Sequence, residues 1–179
     1  MKLNLGSGNN PKEGFINIDR VKTDKVDLVF DLNDFPYPFK DNSVDEIYCR
    51  HFLEHLNDFD TALREFHRIL KKEGTLEIIV PDFSSANAFV PEHKVFFNYN
   101  SFNPFSVNID DINAKEKLFF MVERRIVFPH EFFKGLAKLF MRLLYVFPIM
   151  VYNYRPSGYM IYLSHLFPAS ELYFKLKKV

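Results

Sequence analysis

Five short apolar runs follow one another through the first 82 residues: Lys2–Leu5, Phe15–Asp19, Val26–Phe30, Val44–Cys49 and Thr75–Val80. Runs of this length, apolar on both alternations, are strands buried on both faces, and such strands belong to a parallel sheet. Between the fourth and fifth, Ala62, Leu63, Phe66, Ile69 and Leu70 recur at helical spacing. Asp58 or Asp60 is placed to cap that helix, which should reach about Lys72 and end at Glu73-Gly74. The pattern predicts an α/β fold, a mostly parallel sheet with helices on both faces. One spacing constrains it further. Only nine residues, Gly6 to Gly14, join the first two runs, whereas a parallel crossover needs a dozen or more. The first helix must be reduced or absent.

The length of 179 residues suits one domain. We read residues 1–82 as one functional half and 83–179 as a second, lid-like half. In the latter, Asn98–Asn113 reads as a loop, Arg124–Phe128 and Glu171–Val179 as strands, and Glu131–Phe147 as a helix. Lys134, Lys138 and Arg142 recur every four residues along one face of that helix; Phe132, Leu136, Leu139, Phe140, Leu143 and Leu144 form the other. Such a helix either covers the sheet or a second copy of the chain, or lies on a membrane surface. No uncharged run reaches the length of a membrane span.

Net charge is +0, so no nucleic-acid partner is expected; the first 100 residues carry −5 and the remainder +5. The single cysteine, Cys49, excludes an internal disulfide and a CxxC site. With no signal-peptide pattern at the start, a cytoplasmic setting is expected, with membrane association through the second half as its extension.

In an open parallel sheet, ligands bind beyond the carboxyl ends of the strands. There the sequence puts Gly6-Ser7-Gly8, then Asp19, then Asp31-Leu32, then Arg50 and His51. Glycines bring backbone N–H groups close to a ligand. A carboxylate after the second strand suits ribose hydroxyls, and Asp31-Leu32 suits an adenine edge. The order is that of a nucleoside. A dinucleotide fits poorly, because the third glycine of G-x-G-x-x-G is missing and no helix has room to receive a pyrophosphate.

The stretches LNLGSG, INID, DLNDFPYPFKDNSVDEIYCRHFLEHL and LREFHRILKKEGTLEIIVPD resemble class I S-adenosylmethionine-dependent methyltransferases of the type 11 group, most closely a compact subgroup with a shortened start. The resemblance implies the Rossmann-like class I methyltransferase fold, with S-adenosylmethionine as cofactor. It implies that Gly6, Ser7 and Gly8 line the amino-acid part of the cofactor, that Asp19 binds its ribose and Asp31 and Leu32 its adenine, and that Arg50 and His51 lie near the sulfonium. The chain departs from the group at Asn4, often an acid, at Asn10, near an often-present third glycine, and at Lys72-Glu73-Gly74, often Pro-Gly-Gly. Glu92–Phe97 with Asn100-Ser101 resembles a lid or acceptor-side segment of related methyltransferases, and Phe167–Tyr173 resembles the last strand of the compact subgroup.

The expected activity is methyl transfer to a small-molecule, lipid-linked or glycan-linked acceptor. The alternative is a catalytically inactive nucleoside-binding domain. A third reading, a short-chain dehydrogenase, lacks a sensibly placed Tyr-x-x-x-Lys pair. Transfer from a sulfonium needs a base only where the acceptor must lose a proton. His51 and His93 lead the candidates for that role over His55 and His130, although each fits a structural role, as a helix-capping, surface or satisfied core histidine, better than a catalytic one. No metal site is expected: Glu54 and His55 are adjacent, adjacent residues do not share a helix face, and Phe59 stands at i+4 from His55.

Overall fold

The computed structural model describes residues 1–111, 115–132 and 134–179, with the side chains of all but 130 and 132. Two expectations therefore lie partly outside the described residues: the side chains of His130 and Phe132, and the end of the Asn98–Asn113 loop. Seven strands form one sheet: β1 (Lys2–Leu5), β2 (Ile16–Asp19), β3 (Leu28–Val29), β4 (Val44–Arg50), β5 (Leu70–Pro81), β6 (Phe119–Val127) and β7 (Glu171–Lys178). Their order is β3-β2-β1-β4-β5-β7-β6. The first five run parallel, and β7 is antiparallel to both β5 and β6. This is the expected α/β architecture, and all five early strands are present.

No helix stands between β1 and β2. A polar clasp replaces it. The Asn4 side chain donates to Asn17 Oδ1 (2.8 Å) and to the Asn10 carbonyl (3.2 Å), Lys12 N donates to the same Asn17 oxygen (2.8 Å), and the Asn17 amide donates to Asp27 Oδ2 (3.0 Å). Backbone groups that a helix would satisfy are met by buried side chains instead. Asn4 is thus the donor that fastens the shortened link. The β2–β3 and β3–β4 links are equally without a helix of more than one turn. The expectation of helices on both faces reduces, in the first half, to one long crossover helix, α1 (Phe59–Ile69).

Asp58 caps α1, accepting from the Thr61 N–H at 3.0 Å. Ala62, Leu63, Phe66 and Ile69 are its buried face. The helix ends three residues before the expected limit. Leu70 is fully buried, turns extended and pairs with Val44. Glu73 then takes a left-handed backbone (φ 65°), and a Cβ on Gly74 would lie 2.8 Å from the Lys71 carbonyl. Glu73-Gly74 is therefore a kink inside β5, because a buried leucine in the sheet outweighs one more turn of exposed helix. Arg68, on α1, donates to Glu65, Asp41 and the carbonyls of Tyr37 and Phe39. It clamps the β3–β4 loop onto the helix.

In the second half, α2 (Gly135–Tyr154) starts later and runs further than predicted, through Pro148. It is long and apolar enough to cross a membrane, and little of it is buried. Tyr145 and Pro148 face the body; Tyr145 donates to the Pro168 carbonyl and Tyr152 accepts from the Ile126 N–H. A short π-helical turn, Tyr159–Leu163, follows, anchored by the fully buried Tyr159, which donates to the Phe167 carbonyl. The reading in which the apolar face of α2 covers the sheet fails for this chain, since Leu136, Leu139, Phe140, Leu143 and Leu144 are all exposed. Aromatic Tyr145 and Tyr152 fill that position instead.

Candidate active site

The carboxyl ends of β1, β2 and β4 and the loop after β3 enclose a cleft of ≈ 970 Å³. Gly6, Ser7, Gly8, Asp19, Asp31, Leu32, Arg50 and His51 all line it, together with Tyr48, Phe52, His55 and Lys94. The structure brings together in one wall the eight residues that four separate strand ends supply.

The glycine turn is held rigidly. Gly6 has φ +67° and a Cβ there would lie 2.6 Å from the Phe52 side chain, so only glycine fits. The Gly8 N–H donates to Asp19 Oδ2 at 2.8 Å, and the Val21 N–H to Asp19 Oδ1 at 2.9 Å. Asp19 therefore locks the turn after β1 to the end of β2. Ser7 is buried, yet its hydroxyl has no hydrogen-bond partner. An orphaned buried hydroxyl beside a cleft is what a ligand's polar end would satisfy.

On the other side, Asp31 Oδ1 accepts from the Asn33 N–H at 2.9 Å, and this bond leads in holding its carboxyl below the usual range. Asn33 in turn accepts from the Asn57 N–H at 2.9 Å. The Leu32 carbonyl accepts from Tyr37 at 2.9 Å, and Tyr37 N donates to Glu65, the partner of Arg68. A chain of charge-assisted bonds from α1 thus sets the strip Asp31-Leu32.

The end of β4 is strained. His51 sits at φ 49°, a conformation that costs a non-glycine residue about 1–2 kcal/mol. Its Nε2 lies 2.6 Å from Glu171 Oε1 and its Nδ1 3.3 Å from Glu54 Oε1. The hydrogen bond to Glu171, then that to Glu54, push its pKa up to about 9. Arg50 reaches the same Glu171 oxygen at 3.2 Å. Glu171 is half-buried; burial alone would raise its carboxyl, but His51 and Arg50 carry it below the usual range. Nothing in the sequence marks Glu171 as more than the start of a strand. The antiparallel register, Glu171 opposite Pro81 and Val127, delivers it to the cleft.

His93 comes from the segment after β5. The Lys94 and Val95 N–H groups both donate to the Glu54 carbonyl, at 2.7 and 3.2 Å, which pins this segment to the 3₁₀ turn Leu53–His55. The His93 and His55 rings then meet edge to face, centroids 4.7 Å apart. Glu54 is 1% exposed; His51 Nδ1 approaches its Oε1 at 3.3 Å, and Oε2 has no hydrogen-bond partner.

Comparison with known proteins agrees with this picture. Residues 7–78 match the family described as methyltransferase domain. An uncharacterized protein of Methanocaldococcus jannaschii is 33% identical over 86 residues, 47% of this chain and 38% of that protein. The ubiquinone/menaquinone biosynthesis C-methyltransferase UbiE of Pseudoalteromonas translucida is 39% identical over 75 residues, 40% of this chain and 27% of UbiE. The matches thus span well under half the length of these curated relatives. Among solved structures, phosphoethanolamine N-methyltransferase 2 of Haemonchus contortus in complex with S-adenosyl-L-methionine superposes over 99% of this chain and 48% of that one, with a TM-score of 0.59 at 16% identity, a likeness of fold. The N-terminal part of the chain is thus similar to the methyltransferase domain family, and the fold is the Rossmann-like α/β fold of class I methyltransferases.

Proposed function

We propose that the chain binds S-adenosylmethionine in this cleft and transfers its methyl group to an acceptor met at an anionic lipid surface. The observation that carries the first part is the convergence of Ser7, Asp19, Asp31 and Leu32 on one cleft in nucleoside order. The donor set fits the group: an unpartnered Ser7 hydroxyl and the Gly6–Gly8 turn for the polar amino-acid end, Asp19 for the ribose, Asp31 and the Leu32 backbone for the adenine. The cofactor supplies an activated methyl group; the protein aligns the acceptor and excludes water. Arg50 and His51, tied to Glu171, close the far end of the cleft. Titration calorimetry with S-adenosylmethionine and S-adenosylhomocysteine, with NADH as control, tests this. Micromolar binding, weakened about tenfold or more in Asp19→Ala, supports it. Absence of binding by either sulfur ligand defeats it, and binding without turnover on any acceptor favours the inactive-domain alternative.

The lipid-surface reading is supported by α2. Leu136, Phe140, Leu143, Phe147, Met150 and Tyr154 recur at alternating spacings of four and three, all exposed, and so form an outward apolar stripe opposite Tyr145 and Tyr152. No Asp or Glu occurs from residue 132 to residue 170, while Lys134, Lys138, Arg142 and Arg155 do. A helix whose outward stripe is apolar and whose only charges are cations suits the interface of an anionic membrane. The segment between β6 and β7 leaves the sheet beside Pro81, at the same edge as the cleft, so a membrane under α2 lies on the acceptor side. We place the protein at the cytoplasmic face, a setting that suits a free, reduced Cys49. Co-sedimentation with phosphatidylglycerol vesicles, lost at high salt and in Leu143→Glu/Phe147→Glu, is the expected result. Concentration-dependent dimers that the same substitutions abolish, without vesicle binding, would replace the membrane by a second copy of the chain.

A further inference from the structure

We infer that Glu54, His55 and His93 form a binding site for one divalent transition-metal ion at the rim of the cofactor cleft. Their ligand atoms all lie within 4.8 Å of one another. Metal–ligand bonds of about 2.0–2.2 Å at tetrahedral angles place ligand atoms about 3.3–3.6 Å apart, so side-chain movements of about an ångström close the set. Three independent features point to an ion. The Glu54 carboxylate is buried, and while His51 Nδ1 lies 3.3 Å from Oε1, Oε2 has no hydrogen bond, a costly state that a further cation would relieve. His93 Nδ1 lies 3.2 Å from the Ala88 carbonyl and His55 Nδ1 3.4 Å from that of Glu92. Carbonyls accept only from N–H, so in the neutral ring each of these contacts puts the proton on Nδ1 and makes Nε2 the ligand atom, the orientation that second-shell carbonyls impose on metal-ligating histidines. Finally, the bonds from Lys94 and Val95 to the Glu54 carbonyl build the His93 side of the site before any ion arrives.

His51 Nδ1 also approaches Glu54, at 3.3 Å. It keeps its shorter contact with Glu171 when Glu54 turns to an ion. Two imidazoles and one carboxylate leave coordination positions open and suit zinc, cobalt or manganese better than calcium or magnesium. His55 lines the cleft, so the open positions face the space in which an acceptor approaches the cofactor. Resting on the methyl-transfer reading, this assigns the acceptor to oxygen compounds. A hydroxyl held by the ion gives its proton to water, its oxygen forms the new C–O bond as the sulfonium C–S bond breaks, and the neutral thioether leaves.

The test uses the full chain without cofactor. Titration with Co²⁺ followed by visible absorption, and with Zn²⁺ followed by calorimetry, should show one ion per chain. His93→Ala and His55→Ala should each weaken binding at least tenfold and abolish the d–d bands, with thermal unfolding confirming that both variants are folded. Glu54→Gln is the harsher change and serves as a third arm. Failure of the wild-type chain to bind Co²⁺ or Zn²⁺, or binding that persists unchanged in folded His93→Ala and His55→Ala, overturns the site. Because S-adenosylmethionine titration of the same samples is independent, loss of the metal site and loss of the methyltransferase reading are told apart.

Discussion

The two halves of this chain treat apolar residues in opposite ways. Before residue 83, the large apolar side chains exposed among the described residues are Met1, Val21 and Val29; after it, the whole outward stripe of α2 is exposed, with Ile161, Tyr162 and Leu166 beyond it. The first half spends its leucines and isoleucines on both faces of a sheet and on α1. The second anchors itself with tyrosines whose hydroxyls reach backbone groups and turns its leucines outward. A hydrophobic helix is thus evidence of a core only where the partner surface belongs to the same chain; here the stripe stays uncovered among the described residues.

The sharpest contrast pairs one residue from each half. Phe66, fully buried on α1, should cost about 3–5 kcal/mol when changed to Ala, lowering Tm by roughly 10 °C. Leu143→Ala on α2 should stay within about 0.5 kcal/mol. Equal losses in thermal unfolding would break the comparison. Next comes Gly6→Ala, which drives a Cβ into Phe52 and keeps a left-handed backbone; about 3 kcal/mol of stability should go, and S-adenosylmethionine binding with it in calorimetry. Unchanged binding would show that the turn is only structural.

A smaller effect sharpens the junction between the halves. Asp82 is fully buried with Oδ2 unpartnered, and burial holds its carboxyl above the usual range. The folded state therefore prefers the protonated acid, and the associated stability is complete below pH ~3.9 and lost as pH rises through the higher folded value. Asp82→Asn keeps an acceptor for Ser84 and removes the buried charge. It should gain roughly 1 kcal/mol at pH 7 and flatten the pH dependence of unfolding above pH 4. A loss at pH 7 would mean that the charge has a partner.

Much of the fold was legible because its cues are local. A buried strand announces itself by four to six apolar residues, the nine-residue link leaves no room for a full helix, and Asp58, one of the two capping candidates, caps α1. The end of α1 was misread because Leu70 satisfies helical periodicity and strand pairing equally, and only its neighbour Val44 decides between them. The cleft residues were legible for a related reason: each stands immediately after a strand, so strand order alone sends them to one edge.

By itself, then, the sequence determined the parallel sheet, the lack of room for a full first helix and the nucleoside-like order Gly6-Ser7-Gly8, Asp19, Asp31-Leu32, since each depends on residues within a few positions of one another. The tertiary structure alone decided that Glu171 braces Arg50 and His51, that His93 stands against His55 and buried Glu54, and that α2 presents leucines outward. Those contacts join residues up to 121 positions apart, and no local spacing encodes which strand register or which helix face will bring them together.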